Sequence, residues 1–285
     1  MVKIKIIMQK KKFLLKITCQ DRKGIVAEVS SAIFNLEGFI VVFDQFSDPD
    51  TNGFFMRAVF ETEKDETSLR GNFQKLSMNW ELFDLEKRPN LLILCSKERH
   101  CLNSLLNKQK TGLLPANISL IASNHRVLEE MAGWYNLPFY HLPITPETKQ
   151  SQEQEIKRLI EEYKIDYIVL ARYMQILSPE FCRDFAGKII NIHHSFLPSF
   201  KGANPYLQAY ERGVKVIGAT AHFVTPLLDE GPIIHQETIA VDHSYTAQEL
   251  ARNGADVEAI VLSKAVKYVV EGKVFIDKNK TVVFK

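Results

Sequence analysis

The chain has 285 residues, which at roughly 150 residues per domain corresponds to about two domains. Lysine and arginine number 36 against 34 aspartates and glutamates, a formal net charge of +2, and 46% of residues are hydrophobic. This balance excludes a disordered chain and gives no support to a nucleic-acid binder, which carries a marked basic excess. No run reaches the roughly 20 apolar residues that a membrane-spanning helix needs.

The start, MVKIKIIMQKKK, is basic, but its apolar stretch is too short for a signal-peptide core, and a lead-in strand is expected there. Phe13–Thr18 alternates as a strand. Asp21-Arg22-Lys23-Gly24 then turns into a helix over Ile25–Leu36, with Ile25, Val29, Ile33 and Leu36 on one face and Gly38 closing it. Ile40–Phe46 and Phe54–Phe60 are strand-like runs joined by the hairpin signal Asp48-Pro49-Asp50-Thr51-Asn52-Gly53. A weaker helix over Leu69–Leu76 and a strand over Trp80–Leu85 complete a βαββαβ order, the ferredoxin-like pattern. Glu86-Lys87-Arg88-Pro89-Asn90 is charged, carries a proline and marks the expected boundary between domains 1–88 and 89–285.

Beyond it, apolar strands alternate with helices. Strands are predicted over Leu91–Cys95, Ile118–Ala122, Tyr167–Leu170 and Ile189–His193, and helices over His100–Lys110, Leu128–Trp134 and Gln152–Tyr163. That order argues for a Rossmann-like, largely parallel α/β domain with helices on both faces. Val216–Val241 reads as two longer strands around a turn at Asp229–Pro232. Thr246-Ala247-Gln248-Glu249 is a capping box opening a long helix to about Val270, and a terminal hairpin follows over Val274–Ile276 and Thr281–Phe284. Cys19, Cys95, Cys101 and Cys182 form no CxxC pair, as expected of reduced thiols in a cytoplasmic protein.

The chemistry concentrates in Lys188–Gln236. Asn191 and His193 lie two apart at the end of a strand, so both face one way, while His194 faces the other. The carboxyl end of a strand in an open parallel sheet is where ligands bind. A satisfied core histidine is the plainer alternative for His193, but it explains less of a pair that leaves the strand just before a Pro198 and Gly202 loop. A metal held by His193, His194 and Asp229 fails because adjacent strand residues diverge, so no metal is expected. Asp229 reads equally as a turn former and as a partly desolvated carboxylate available for tuning.

Asn191-x-His193, Ser195-Phe196-Leu197-Pro198, Gly202-Ala203 and Leu228-Asp229-x-Gly231-Pro232 together resemble the formyl transferase/hydrolase family that uses 10-formyltetrahydrofolate. The resemblance covers roughly residues 90–270. It implies that His193 is a general acid–base group, that Asn191 stabilises the tetrahedral oxyanion and that Asp229 positions and helps deprotonate the attacking group. It also implies a pterin pocket near Met174, Gln175, Leu177 and the backbone of Leu228, with folate as substrate and no separate cofactor. Family members differ in the group that receives the formyl. No glycine occurs between Gly71 and Gly112, so a glycine nest for a phosphate-bearing acceptor is not expected after the Leu91–Cys95 strand. The branch of the family that acts on tRNA carries a further basic domain after the last helix, and none is expected here. Water is left as the acceptor, giving formate and tetrahydrofolate for one-carbon and purine metabolism. Transfer to an unidentified amine and a non-catalytic folate or amino-acid sensor are the alternatives.

Asp21-x-x-Gly24-Ile25-Val26-x-x-Val29 resembles the strand-to-helix turn of ACT domains, which implies an amino-acid effector near Asp21, Gly24 and Ile25 and a homo-oligomer. A ferredoxin-like fold kept only for oligomer contacts carries equal weight. No nucleic-acid or membrane partner is expected.

Overall fold

The computed structural model describes residues 10–198 and 205–285. The basic lead-in, up to residue 9, and the Gly202-Ala203 pair lie outside the described residues. The chain divides into two compact units, Met1–Arg88 with Phe284–Lys285, and Pro89–Val283.

The first unit runs β1 (Lys11–Gln20), α1 (Ile25–Asn35), β2 (Phe39–Asp48), β3 (Gly53–Thr62), α2 (Glu66–Phe73) and β4 (Asn79–Asp84). Its sheet has the order β2-β3-β1-β4, all antiparallel, the split βαβ arrangement. Alternate residues of β1, Phe13, Leu15 and Ile17, pack against Ile25, Val29 and Ile33 of α1 and Leu69 and Phe73 of α2. Two local expectations shift. Asp65 accepts a hydrogen bond from the Ser68 N–H at 2.8 Å, so α2 begins before the Leu69 that periodicity marks. At the end of α1 the left-handed position is taken by Glu37 (φ 54°) rather than Gly38, whose N–H closes the turn onto the Ile33 carbonyl.

The second unit runs β5 (Asn90–Cys95), α3 (His100–Lys110), β6 (Asn117–Ser123), α4 (Glu129–Trp134), β7 (Phe139–His141), α5 (Lys149–Glu162), β8 (Tyr167–Ala171), α6 (Pro179–Asp184), β9 (Ile189–His193), α7 (Pro205–Glu211), β10 (Val216–Phe223), β11 (Ile233–Ala240), α8 (Ala247–Val270), β12 (Val274–Asp277) and β13 (Lys280–Val283). β7, α6 and α7 are too short for a periodic signal. The seven-stranded sheet has the order β11-β10-β9-β8-β5-β6-β7. The strands from β9 to β7 run parallel, and β10 and β11 extend the sheet antiparallel. Its inner strands β5 and β8 are almost wholly apolar because both of their faces are covered. Leu91, Ile93 and Cys95 pack with Leu102 and Leu105 of α3 and Val261 and Ala265 of α8. Leu92 and Leu94 pack on the opposite face with Ile156 and Leu159 of α5 and Phe181 of α6.

The helix α8 starts on a complete capping box. The Glu249 N–H donates to Thr246 Oγ1 at 3.2 Å, and the Thr246 N–H donates to Glu249 Oε2 at 2.8 Å. Among the described residues no helix is long and apolar enough to cross a membrane. All four cysteines are free, and Cys95, Cys101 and Cys182 are buried. Loss of the cap in Thr246→Ala is expected to lower unfolding free energy by about 1 kcal/mol, read as a lower denaturant midpoint at unchanged slope.

Candidate active site

Sequence alternation at the end of β9 and register with β10 together decide which side chains meet. Asn191 lies opposite His222, and His193 lies opposite Thr220. Asn191 Nδ2 is 3.2 Å from His222 Nε2, and His222 Nδ1 is 2.8 Å from the Phe223 carbonyl. The carbonyl can only accept, so it fixes the proton on Nδ1 and leaves Nε2 to accept from the Asn191 amide. Burial pushes the pKa of His222 down, the largest influence on it, and keeps the ring neutral.

Asp229 reaches the same place from the connection between β10 and β11. Its backbone is left-handed (φ 56°), a strained conformation for a non-glycine residue and one that clusters at functional sites. The connection is drawn tightly back over β10. A Cβ on Gly231 would stand 1.7 Å from the Phe223 carbonyl oxygen, so only glycine fits. The Phe223 N–H also donates to the Pro232 carbonyl at 2.9 Å.

Asp229 Oδ2 lies 3.3 Å from His193 Nδ1, and Oδ1 lies 3.7 Å from His222 Nε2. The Asp229 side chain is 10% exposed and that of His193 6%. Burial, the largest influence on Asp229, opposes its charge. The hydrogen bond from His193, with smaller electrostatic help from the surrounding histidine rings, outweighs burial and holds the carboxyl below its ordinary value. Of the two sequence-level alternatives for Asp229, the structure presents the desolvated carboxylate. The carboxylate orients the His193 ring through Nδ1, and Nε2 is buried with no partner among the described residues. A ring held on one nitrogen with the other free can pass a proton to a bound molecule.

The turn after β9 is pinned from below. Thr220 Oγ1 accepts from the Leu197 N–H at 3.0 Å and from Gln236 Nε2 at 2.8 Å, and donates to the Ser195 carbonyl at 2.9 Å. Its one proton and both lone pairs are used. Burial, then the charge of Arg172, lowers the pKa of His194 to about 4, so this ring too is neutral at pH 7.

The residues expected near a pterin divide. Met174 and Leu228 are exposed, as are their neighbours Ile176 and Leu227, which leaves apolar side chains on the loops after β8 and before Asp229. Gln175 is half-buried. Leu177 is different: it is buried in the core with Phe181 and Ile156, so its side chain is committed to packing rather than to a ligand surface. The loop after β8 is tied to those after β5 and β6, since the Met174 N–H donates to Ser96 Oγ at 3.0 Å and Ser96 Oγ donates to Asn124 Oδ1 at 2.7 Å. In the first unit, Ile25 is buried at the start of α1, Gly24 caps it in a left-handed conformation (φ 91°), and the Asp21 N–H is bonded to the Asn52 carbonyl.

Sequence reasoning missed Arg172, His100, Tyr206 and Glu258. Glu258 is a carboxylate on the apolar face of α8 between Val257 and Val261, and that is the signal that marks it. With His100 and Cys101 it forms a group of metal-type donors. They do not fit a metal, because both carboxylate oxygens already accept hydrogen bonds, Arg172 stands 3.4 Å away, and burial pushes the Cys101 thiol well up.

Residues 89–266 match the formyl transferase family. The chain is 42% identical to the formyltetrahydrofolate deformylase of Bacillus subtilis over 278 residues, 95% of this chain and 93% of that one. A crystal structure of a formyltetrahydrofolate deformylase from Pseudomonas syringae superposes with a TM-score of 0.94 at 41% identity, covering 98% of this chain and 96% of the other. Glycinamide ribonucleotide transformylase 1 from Symbiobacterium toebii is more distant, with a TM-score of 0.66 at 26% identity over 74% of this chain and 98% of that one. With the Asn191, His193 and Asp229 geometry set on this fold, the chain belongs to the formyl transferase family and, within it, to the formyltetrahydrofolate deformylases.

Proposed function

We propose that the chain hydrolyses 10-formyltetrahydrofolate to formate and tetrahydrofolate at the site formed by Asn191, His193 and Asp229. The observation that carries this is the ionised Asp229 bonded to His193 Nδ1 while His193 Nε2 has no partner among the described residues. Asp229 and His193 draw a proton from water as its oxygen bonds to the formyl carbon. The carbonyl π pair moves onto oxygen, and the Asn191 amide donates to that oxyanion. One Asn191 N–H is held by His222, which aims the other; a donor of this kind contributes about 2.7–4 kcal/mol in the transition state. The oxyanion then collapses, the bond from carbon to N10 breaks, and His193 returns the proton to that nitrogen. Formic acid loses its remaining proton and leaves as formate.

Met174, Gln175 and the backbone around Leu228 form the pterin-binding surface in this reading, with exposed Ile176 and Leu227 beside them. Water as acceptor is supported by the loop after β5. Its first residue, Ser96, is buried and bonded to Asn124 and Met174, and no glycine opens the backbone there to a phosphate. The first unit is an ACT-like regulatory module, with Asp21, Gly24 and Ile25 marking the effector end. Exposed Phe39, Val41 and Phe46 on the edge strand β2 support pairing with a second copy. Free cysteines are in keeping with a cytoplasmic enzyme.

Incubation with 10-formyltetrahydrofolate alone is expected to release formate and tetrahydrofolate in equal amounts; release only after an amine is added would replace hydrolysis by transfer. Asp229→Asn is expected to cut turnover by two or more orders of magnitude while circular dichroism stays unchanged, and an unaltered rate would remove Asp229 from the mechanism. The neutral histidines add a pH signature. The pKa values of His194 and His222 are lower in the fold than in the open chain, so the unfolded state binds more protons below about pH 6.5. Stability is expected to fall as pH drops from about 6.5 toward 4, by up to about 1.4 kcal/mol per pH unit for His194, with His222 acting in the same direction, measured by urea titration across that range.

A further inference from the structure

The order of the second sheet reverses between β5 and β8. From β5 it grows through β6 to β7, and on the other side through β8 to β9. The segments leaving the carboxyl ends of β5 and β8 diverge there, and open α/β sheets take ligands in the crevice so formed. His100 follows β5 into the first turn of α3, and Arg172 follows β8 directly. Glu258, from α8, joins them.

Glu258 is 1% exposed. Its Oε2 is 2.8 Å from His100 Nε2, and its Oε1 accepts from the Tyr206 hydroxyl at 2.7 Å. Tyr206 gets this close to α8 because position 254 is glycine, where a Cβ would stand 2.1 Å from the phenol oxygen. Arg172 Nε lies 3.4 Å from Oε2, an ion pair without a hydrogen bond. Nε and Nη1 of Arg172 are both buried, and neither has an acceptor among the described residues. Leaving a buried donor unmet is unfavourable, and more so for a charged group. The Arg172 backbone is also left-handed (φ 61°). Two unfavourable features at one residue, placed at the switch point of the sheet, point to a missing acceptor.

The guanidinium fork matches a planar carboxylate. Hydrolysis of a formyl group makes one carboxylate, formate, and makes it nearby. The ring of His194 is 5.3 Å from that of His193 and 6.2 Å from that of Tyr206, so one side chain separates the catalytic imidazole from the residue that holds Glu258. We propose that Arg172 binds the formate product in the crevice between the ends of β5 and β8, through guanidinium donors left without an acceptor among the described residues. The proposal rests on the hydrolytic reading of the site. Glu258 fixes the guanidinium and, as a neighbouring negative charge, keeps the hold on formate weak enough for release.

The test follows the binding of 13C-labelled formate to the full chain by NMR without folate, together with inhibition of turnover by added formate. Wild-type protein is expected to bind formate at one site and to be inhibited by it. Arg172→Lys keeps the charge but loses the fork, and is expected to weaken formate at least tenfold in both measurements. Glu258→Gln removes the competing charge and is expected to tighten formate severalfold, a change that a purely structural role would not produce. Failure of wild-type protein to bind formate, or equal binding by wild type and Arg172→Lys, overturns the proposal. Should Arg172→Lys not fold, unchanged or weaker formate binding by Glu258→Gln overturns it alone. Formate binding without any turnover would instead overturn the hydrolytic reading and leave the anion site standing.

Discussion

The pairing of Asp229 with His193 is the interaction around which the second unit is arranged. A carboxylate this far from water is held in its charged form only by what surrounds it, and the surroundings come from three separate pieces of chain. β9 brings His193, β10 brings His222, and the tight connection to β11 brings Asp229 itself in a strained backbone conformation. The arrangement is local in space and remote in sequence. Its rigidity comes from groups with no part in the reaction: the Phe223 carbonyl that sets the tautomer of His222, the glycine that lets the connection fold back, and the Thr220 hydroxyl with every hydrogen-bonding position occupied.

A second polar centre lies beside the first and obeys the same physics with a different outcome. Asp229 has few partners and one free edge beside it, on His193. Each oxygen of Glu258 already has a partner, in His100 and Tyr206, and the donors left unmet beside it among the described residues belong to Arg172. One cluster therefore offers a site for proton transfer, and the other a site for a negative charge. His194, neutral and enclosed between them, separates the two fields without adding charge to either.

Much of this was legible in the sequence where the signal was periodic. The two-residue period put Asn191 and His193 on one face, and the apolar runs of the second half marked most strands of a largely parallel sheet, though not their neighbours in it or the short β7. What stayed hidden depended on contacts between distant segments. The neighbours of Asp229 fit a turn former and a desolvated carboxylate equally well; that His193 and His222 both face it follows from the register of β9 with β10. Met174 and Leu177 look alike as apolar residues of one short run, yet one is exposed and the other lies in the core, since an irregular loop has no period to tell them apart. Arg172 and Glu258 sit 86 positions apart, and neither carries a local mark of the other.

The antiparallel junction of β9 with β10 has one further consequence. Side chains alternate along a strand, so a slip of one residue exchanges its two faces. Here the slip would set Ile192 opposite His222 and turn both the amide and the imidazole away from Asp229. Such a chain could keep its other strands and helices, while Asn191 and His193 would stand where Ile190 and Ile192 now pack in the core. Chemistry at this site is therefore a stricter assay of correct assembly than compactness or secondary structure, because it vanishes on an error of a single residue.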